Sequence, residues 1–306
     1  MAAKKKTEEI APRSQVHIMS VDVEDFFQVE AFAADIPRAS WDRYPLRVEA
    51  NTRRILDLFD EHEAKATFFV LGWIADRCPQ LIREIYRRGH EIACHSYWHR
   101  CIYNLTPKEF REDTRLAKEA LEQAAGTKII GYRAPNWSIT SKSFWGLQVL
   151  AEEGFEYDSS IYPIHHDVYG IPGSCSVPYT HVLNGNLRLQ EFPPATVRIL
   201  GMTIPAAGGG YLRILPFAYT AWACRRISAN QRLMVYLHPW EIDPKQPRVP
   251  SRLRSRFRHY TNLTRMENRL QQILKLYRFT SFEKVLRNSL ANVIEAVPLS
   301  VAGARA

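Results

Sequence analysis

Two stretches of this chain hold residues able to bind a metal ion and move protons: Asp22-Val23-Glu24-Asp25 and His95-Ser96-Tyr97-Trp98-His99. Histidines four residues apart project to one side of a helical turn or tight loop, where both imidazoles can reach one cation. The acidic cluster can supply a carboxylate ligand and leave a second carboxylate free as a base. One carboxylate and two imidazoles around an ion with open positions is the layout of a hydrolytic metal site, because the open positions take water and substrate.

The flanking residues favour this chemistry over a chance pairing. Gln15 to Val21 alternates and is rich in β-formers, which predicts a strand ending at Asp22. Glu91 to Cys94 predicts a second strand, ending at His95. Both candidate ligand groups then sit past the C-terminal ends of strands, the edge where α/β folds collect active sites. Three more strand ends carry polar groups. Arg133 precedes the turn Ala134-Pro135-Asn136-Trp137 and can hold and aim a carboxylate, while N–H groups of the turn can face an oxyanion. Asp158, before Ser159 and Ser160, can pair with a histidine and raise its basicity. His238, before Pro239-Trp240-Glu241, can act as a general acid.

A βα rhythm must position these groups. Arg47 to Glu63 has a helical apolar stripe, and Ala66 to Leu71 is the continuous apolar run of a buried parallel strand. A helix is expected over 79–88, with Pro79 in its first turn and Gly89 past its end. Thr106-Pro107-Lys108-Glu109 reads as a capping box opening a helix to about Ala125, closed by Gly126. A strand over 128–132 and a helix over 141–153 follow. The pattern predicts a parallel sheet or barrel with helices outside. After Gly154 the rhythm weakens, and 155–215 is rich in Pro, Gly and Tyr. Beyond it, 216–229 reads as helix, 231–237 as strand and 258–278 as a single helix.

The 306 residues, 46% apolar, suffice for one large α/β domain or two ordinary ones. The net charge of +9 is concentrated in Lys4-Lys5-Lys6 and in Arg248, Arg252, Arg254, Arg256 and Arg258. Such runs suit an anionic partner. No nucleic-acid-binding motif accompanies them, so nucleic acid is not expected as a partner. Cys78, Cys94, Cys101, Cys175 and Cys224 form no CxxC pair, which fits free thiols in a reducing compartment. Without an apolar leader or a membrane-spanning run, the expected location is cytoplasmic, with peripheral attachment to the inner membrane face through the basic runs left open. Oligomeric state is not legible.

Taken in order, the motifs resemble those of the polysaccharide deacetylases of carbohydrate esterase family 4, the NodB-homology group. Ser20 to Asp25 resembles that family's acidic motif, and His95 to His99 matches its H-S/T-x-x-H motif. Arg133 to Trp137 resembles R-x-P-aromatic, and Asp158-Ser159 resembles D-S/A. Tyr236-Leu237-His238 is similar to L-x-H with the spacing shortened by one. The patterns at Asp22–Val29, His238–Glu241 and His259–Glu267 resemble the subfamily associated with exopolysaccharide and exosortase (PEP-CTERM) loci.

The resemblance implies an α/β fold, a distorted (β/α)7 barrel with an appended C-terminal segment. The barrel would span 15–245 with an inserted 160–215 region, between a disordered tail at 1–14 and a helical extension at 246–290, with a frayed tail at 291–306. It also implies metal-dependent removal of N-acetyl groups from hexosamine units of a polysaccharide or its lipid-linked precursor. Glu24, His95 and His99 would hold Zn²⁺ or another divalent ion such as Co²⁺. Asp22 would be the base, Arg133 would orient it, and His238 would be the acid, tuned by Asp158. Asn136, Trp137, Tyr97 and Trp240 would meet the acetylated glycan. The chain departs from the family pattern at Val23, where a second adjacent aspartate is usual, so Asp25 stays open as an alternative ligand to Glu24. Asn136 also stands where many relatives have an aromatic residue. A metal-independent small-amide hydrolase of the same fold and a non-catalytic glycan-binding subunit are the alternatives.

Overall fold

The structure, a computed structural model, describes residues 15–289 except Asp167, so the tails expected at 1–14 and 291–306 lie outside the described residues. The strands are β1 (Val16–Val23), β2 (Thr67–Val70), β3 (Glu91–Cys94), β4 (Gly131–Tyr132), β5 (Tyr157–Asp158), β6 (Tyr179–Val182), β7 (Arg188–Glu191), β8 (Thr196–Ile199), β9 (Met202–Pro205), β10 (Met234–Leu237) and β11 (Arg278–Thr280). β10, β1, β2, β3, β4, β5 and β7 pair side by side in parallel. β6 adds an antiparallel edge to β7. Among the described residues no pairing joins β6 back to β10. β1 is buried at every position but its first, as a central strand covered on both faces must be.

The helices are α1 (Val48–Glu61), α2 (Gly72–Arg77), α3 (Pro79–Arg87), α4 (Pro107–Ala125), α5 (Trp145–Glu152), α6 (Gly209–Ile214), α7 (Phe217–Ser228), α8 (Leu253–Tyr260), α9 (Leu263–Leu276) and α10 (Phe282–Ser289). α4 opens on the expected capping box, with Thr106 Oγ1 accepting from Glu109 N at 3.3 Å and Glu109 Oε2 from Thr106 N at 2.8 Å. It ends at Gly126, whose φ of 70° is left-handed. No described helix is long and apolar enough to cross a membrane.

The later half of the chain is more ordered than its composition indicates. The 155–215 region holds four strands, β6 to β9, besides β5 and α6. The single helix expected over 258–278 is two helices, broken at Asn262 by a φ of 58°. That left-handed residue is held by its own amide, which donates to the Arg213 carbonyl at 2.9 Å. The 246–290 segment also contributes β11, which pairs with Val16 to Ile18 at the start of β1. Glu91 ties this return to the sheet, accepting from Tyr157 Oη at 2.7 Å, Thr67 Oγ1 at 2.5 Å and the Glu283 N–H at 2.9 Å.

β4 and β5 approach closely because Gly131 has no side chain. A Cβ there would lie 2.0 Å from Cζ of the buried Tyr157 ring. Gly131→Ala is therefore expected to destabilise the protein by about 1–3 kcal/mol, the usual cost of overpacking. The check is a thermal melt, where roughly 2–4 °C is lost per kcal/mol in a protein of this size.

Candidate active site

The strand period of two puts Asp22 and Glu24 on one side of the end of β1. His95 follows β3 directly, and Ser96 and His99 have left-handed φ values of 66° and 50° that curl the segment into a tight loop. Such backbone is unfavourable for non-glycine residues and persists where surrounding contacts hold it. Here the Ser96 hydroxyl accepts from the His99 N–H at 3.0 Å.

Ligand atoms of Glu24, His95 and His99, all three buried, lie within 4.8 Å of one another. His95 turns Nδ1 to the Arg133 carbonyl at 2.8 Å, which directs its Nε2 into the cluster. Glu24 Oε1 accepts from the Trp240 indole N–H at 3.0 Å. Glu24 Oε2 is buried without a hydrogen bond, 2.7 Å from His99 Nε2. A buried carboxylate oxygen left unsatisfied beside two imidazoles fits a divalent cation. Burial pushes the Glu24 carboxyl up, but its neighbours His99 and then His238 outweigh that and hold it at about 2. Burial lowers His95 to about 4, which favours the neutral, ligating imidazole.

Asp25 faces elsewhere. Its Oδ1 accepts from Phe26 N at 2.8 Å, and its Oδ2 from Arg47 N at 2.6 Å and Val48 N at 2.8 Å. It is spent on the backbone at the start of α1, and Glu24 alone of the pair meets the imidazoles.

Arg133 Nη1 donates to Asp22 Oδ1 at 2.6 Å and to Ser20 Oγ at 2.8 Å. The guanidinium is fully buried, with its carbon 4.0 Å from the Phe69 ring centre and 4.7 Å from that of Trp137. Across the pocket, His238 Nε2 lies 3.9 Å from Asp22 Oδ2 and 3.7 Å from Glu24 Oε1. A cavity of about 150 Å³ opens between these groups, walled by Asn136, Trp137, Tyr169 and Tyr236.

Three expected roles need correction. Asp158 is not the partner of His238. Its carboxyl accepts from Ser160 Oγ at 2.6 Å and sits opposite Glu191 in the β5–β7 register. Burial, then the Glu191 charge, hold it well above the usual carboxylate range. Because Ser160 Oγ also accepts from Ala134 N at 2.8 Å, Asp158 steadies the turn carrying Asn136 and Trp137. His238 instead turns Nδ1 to Glu241 Oε2 at 3.1 Å, and Arg213 Nε donates to Glu241 Oε1 at 2.5 Å. Burial lowers the His238 pKa, but Glu241 first, then Glu24 and Asp22, raise it to about 9. Tyr97 is also outside the pocket, donating to Asp76 Oδ2 at 2.6 Å and packing over Gly72. Trp240 is no exposed platform. It lies buried between the rings of His238, at 5.2 Å, and His259, at 4.1 Å, both stacked nearly parallel to it.

The sequence reading assigned no role to Glu241, Arg213, Tyr169 or Tyr236. Glu241 was within reach, since His238-Pro239-Trp240-Glu241 has the spacing at which a carboxylate folds back on the residue three before it. Arg213 carries no local signal.

Residues 39–157 match the polysaccharide deacetylase family, and residues 159–287 match a domain of unknown function, DUF3473. The chain carries a polysaccharide deacetylase domain. The chain is 36% identical over 137 residues to a peptidoglycan-N-acetylglucosamine deacetylase of Bacillus cereus, covering 40% of this chain and 48% of that protein. It is 34% identical over 100 residues to a chitooligosaccharide deacetylase of Bradyrhizobium sp., covering 33% of this chain and 43% of the other. The chain thus spans about half the length of these relatives or less. Its fold is that of a Mycobacterium smegmatis crystal structure bearing a polysaccharide deacetylase name (TM-score 0.60, 21% identity, 93% and 94% of the two chains). It is also that of Puue allantoinase (TM-score 0.59, 17% identity, 90% of each chain).

Glu241 generates a pH prediction. A histidine expected to act as an acid must be protonated, and the Glu241 anion beside His238 would extend that form upward in pH. Glu241→Gln removes the anion, so the His238 pKa falls and the basic limb of the activity profile moves to lower pH, by roughly one unit or more. A pH–kcat/KM profile of the two proteins checks this, and an unmoved basic limb would remove Glu241 from the role.

Proposed function

We propose that this chain is a metal-dependent hydrolase that removes N-acetyl groups from hexosamine units of a polysaccharide or its lipid-linked precursor, in exopolysaccharide biosynthesis at the cytoplasmic face of the membrane. One observation carries the proposal. The Glu24–His95–His99 donor set, an Arg133-held Asp22 and a Glu241-backed His238 converge on one pocket. The fold alone does not choose the substrate, because an allantoinase shares it. The N-acetylhexosamine assignment follows the names of the deacetylases that the chain resembles.

Glu24, His95 and His99 would hold the ion. Zn²⁺ suits their nitrogen and oxygen donors, and when bound it polarises the acyl carbonyl and makes water more acidic. Asp22 takes the proton from the attacking water, with Arg133 fixing which oxygen is free to do so. The turn at Asn136 offers a backbone N–H to the oxyanion. The Trp137 and Ser138 N–H groups close that turn on Ala134 and Pro135, at 3.1 Å each, so the Asn136 N–H is the donor we assign. His238 gives its Nε2 proton to the leaving nitrogen, while Glu241 keeps Nδ1 protonated and the ring aimed. Trp137, Tyr169 and Tyr236 give the acyl group and sugar an aromatic wall.

Purified protein supplied with Zn²⁺ or Co²⁺ is expected to release acetate from an N-acetylglucosamine oligomer. His95→Ala loses both metal and activity. Asp22→Asn keeps the metal and loses about 10²–10⁴ in kcat, as expected for a proton-transfer group. Elemental analysis beside the acetate assay checks all three. Protein that binds no ion and does not respond to added ion, yet turns over a cyclic amide, would replace this reading with metal-free amide hydrolysis.

A further inference from the structure

α8 presents two opposite faces. Inward, His259 is buried, with its ring 4.1 Å from Trp240 and 4.7 Å from Phe32. Outward, Leu253 is 80% and Phe257 61% exposed. These two residues are one helical turn apart on one side, and helical spacing places Arg254 and Arg256 to either side of them. Arg252 and Arg258 are exposed as well. Among the described residues the side chains of Arg252, Arg256 and Arg258 enter no ion pair.

We propose that α8 is an interfacial helix that seats the chain on an anionic lipid bilayer, with the active site beside the contact. Here we build on the deacetylase function proposed above, naming the surface at which a lipid-held glycan would be met. Arginines alone would suit any polyanion. An exposed apolar pair bracketed by arginines suits an interface where leucine and phenylalanine enter the acyl boundary and guanidinium groups stay among anionic headgroups. The site lies close behind. Trp240, stacked on the inner face of α8, also stacks on His238 and donates to Glu24. A glycan projecting from a lipid beside α8 therefore has a short path to the pocket.

The test is cosedimentation of the full chain with vesicles of phosphatidylcholine, with and without phosphatidylglycerol. Binding is expected only to the anionic vesicles and falls as salt rises. Leu253→Asp combined with Phe257→Asp abolishes it. Arg256→Glu weakens it, at roughly fivefold for each arginine charge removed. Acetate release from a soluble oligomer and the melting temperature stay unchanged in these variants, because their side chains touch neither pocket nor core. Absence of binding to anionic vesicles overturns the proposal. So does binding that the apolar substitutions leave intact, or retention on soluble dextran sulfate without vesicle binding, which would mark a polyanion site. A shift from dimer to monomer in the variants, without vesicle binding by the parent, would assign the face to a second copy. Vesicle binding is read without turnover, so an inactive chain that still binds would sink the proposed activity and leave the interfacial helix standing.

Discussion

A charged group buried without compensation is among the most costly features a fold can contain, and Arg133 has no exposed surface. Its stability there depends on how completely it is used. Nη1 meets Asp22 and Ser20, Nη2 meets the Ser159 hydroxyl at 3.1 Å, and Nε meets the Ser159 carbonyl at 3.3 Å. Its own carbonyl takes the His95 imidazole. One residue, by its side chain and its carbonyl together, thus ties the ends of β1, β3 and β5 to that of β4. Removing one partner from such a buried pair typically costs about 3–5 kcal/mol, so Asp22 and the His95 imidazole are both anchored firmly to the same residue.

The opposite wall repeats the device with other residues. Arg213 is also almost wholly buried, and it donates to Glu241 and to the carbonyls of Arg258 and Thr261, at 2.8 Å each. Burial raises the Glu241 carboxyl, but Arg213 and then His238 bring it down to about 2. An arginine orients a carboxylate directly on one side, and on the other an arginine orients a carboxylate that orients an imidazole. The pocket is therefore assembled from three stretches of chain. Asp22 and Glu24 precede the region matching the deacetylase family, His95, His99 and Arg133 lie within it, and His238 with its support lies in the region matching DUF3473.

Much of this was legible because strand ends are short-range features. Alternation before Asp22, the apolar run at 66–71 and the capping box at Thr106 each depend on neighbours a few residues away, and each element formed where its pattern placed it. The two imidazoles were legible for the same reason, since the spacing between His95 and His99 is local, and Glu24 was placed near them because it too stands at the end of a strand. Reading failed where partners are distant. The carboxylate behind His238 could be Asp158 or Glu241 on chemistry alone, and only the packing of β5 against β7 sends Asp158 to Glu191. Tyr97 and Trp240 have the composition of sugar platforms, yet Asp76 and His259 claim them from the far side. The break at Asn262 was hidden because an apolar stripe continues through it, while one left-handed residue turns the chain.

The closure of β1 from both ends of the chain bears on how the protein is made. A nascent polypeptide carries Asp22, Glu24, His95, His99 and Arg133 out of the ribosome long before Trp240, His238 or the strand that flanks Val16 to Ile18 has been synthesised. Until they arrive, Glu24 lacks its indole donor and the first strand lacks neighbours along much of its length. The cluster of charges is then a solvated liability rather than a working centre. The proposed hydrolysis draws on His238 and its Glu241–Arg213 support, so a half-built molecule lacks the acid side of the pocket altogether.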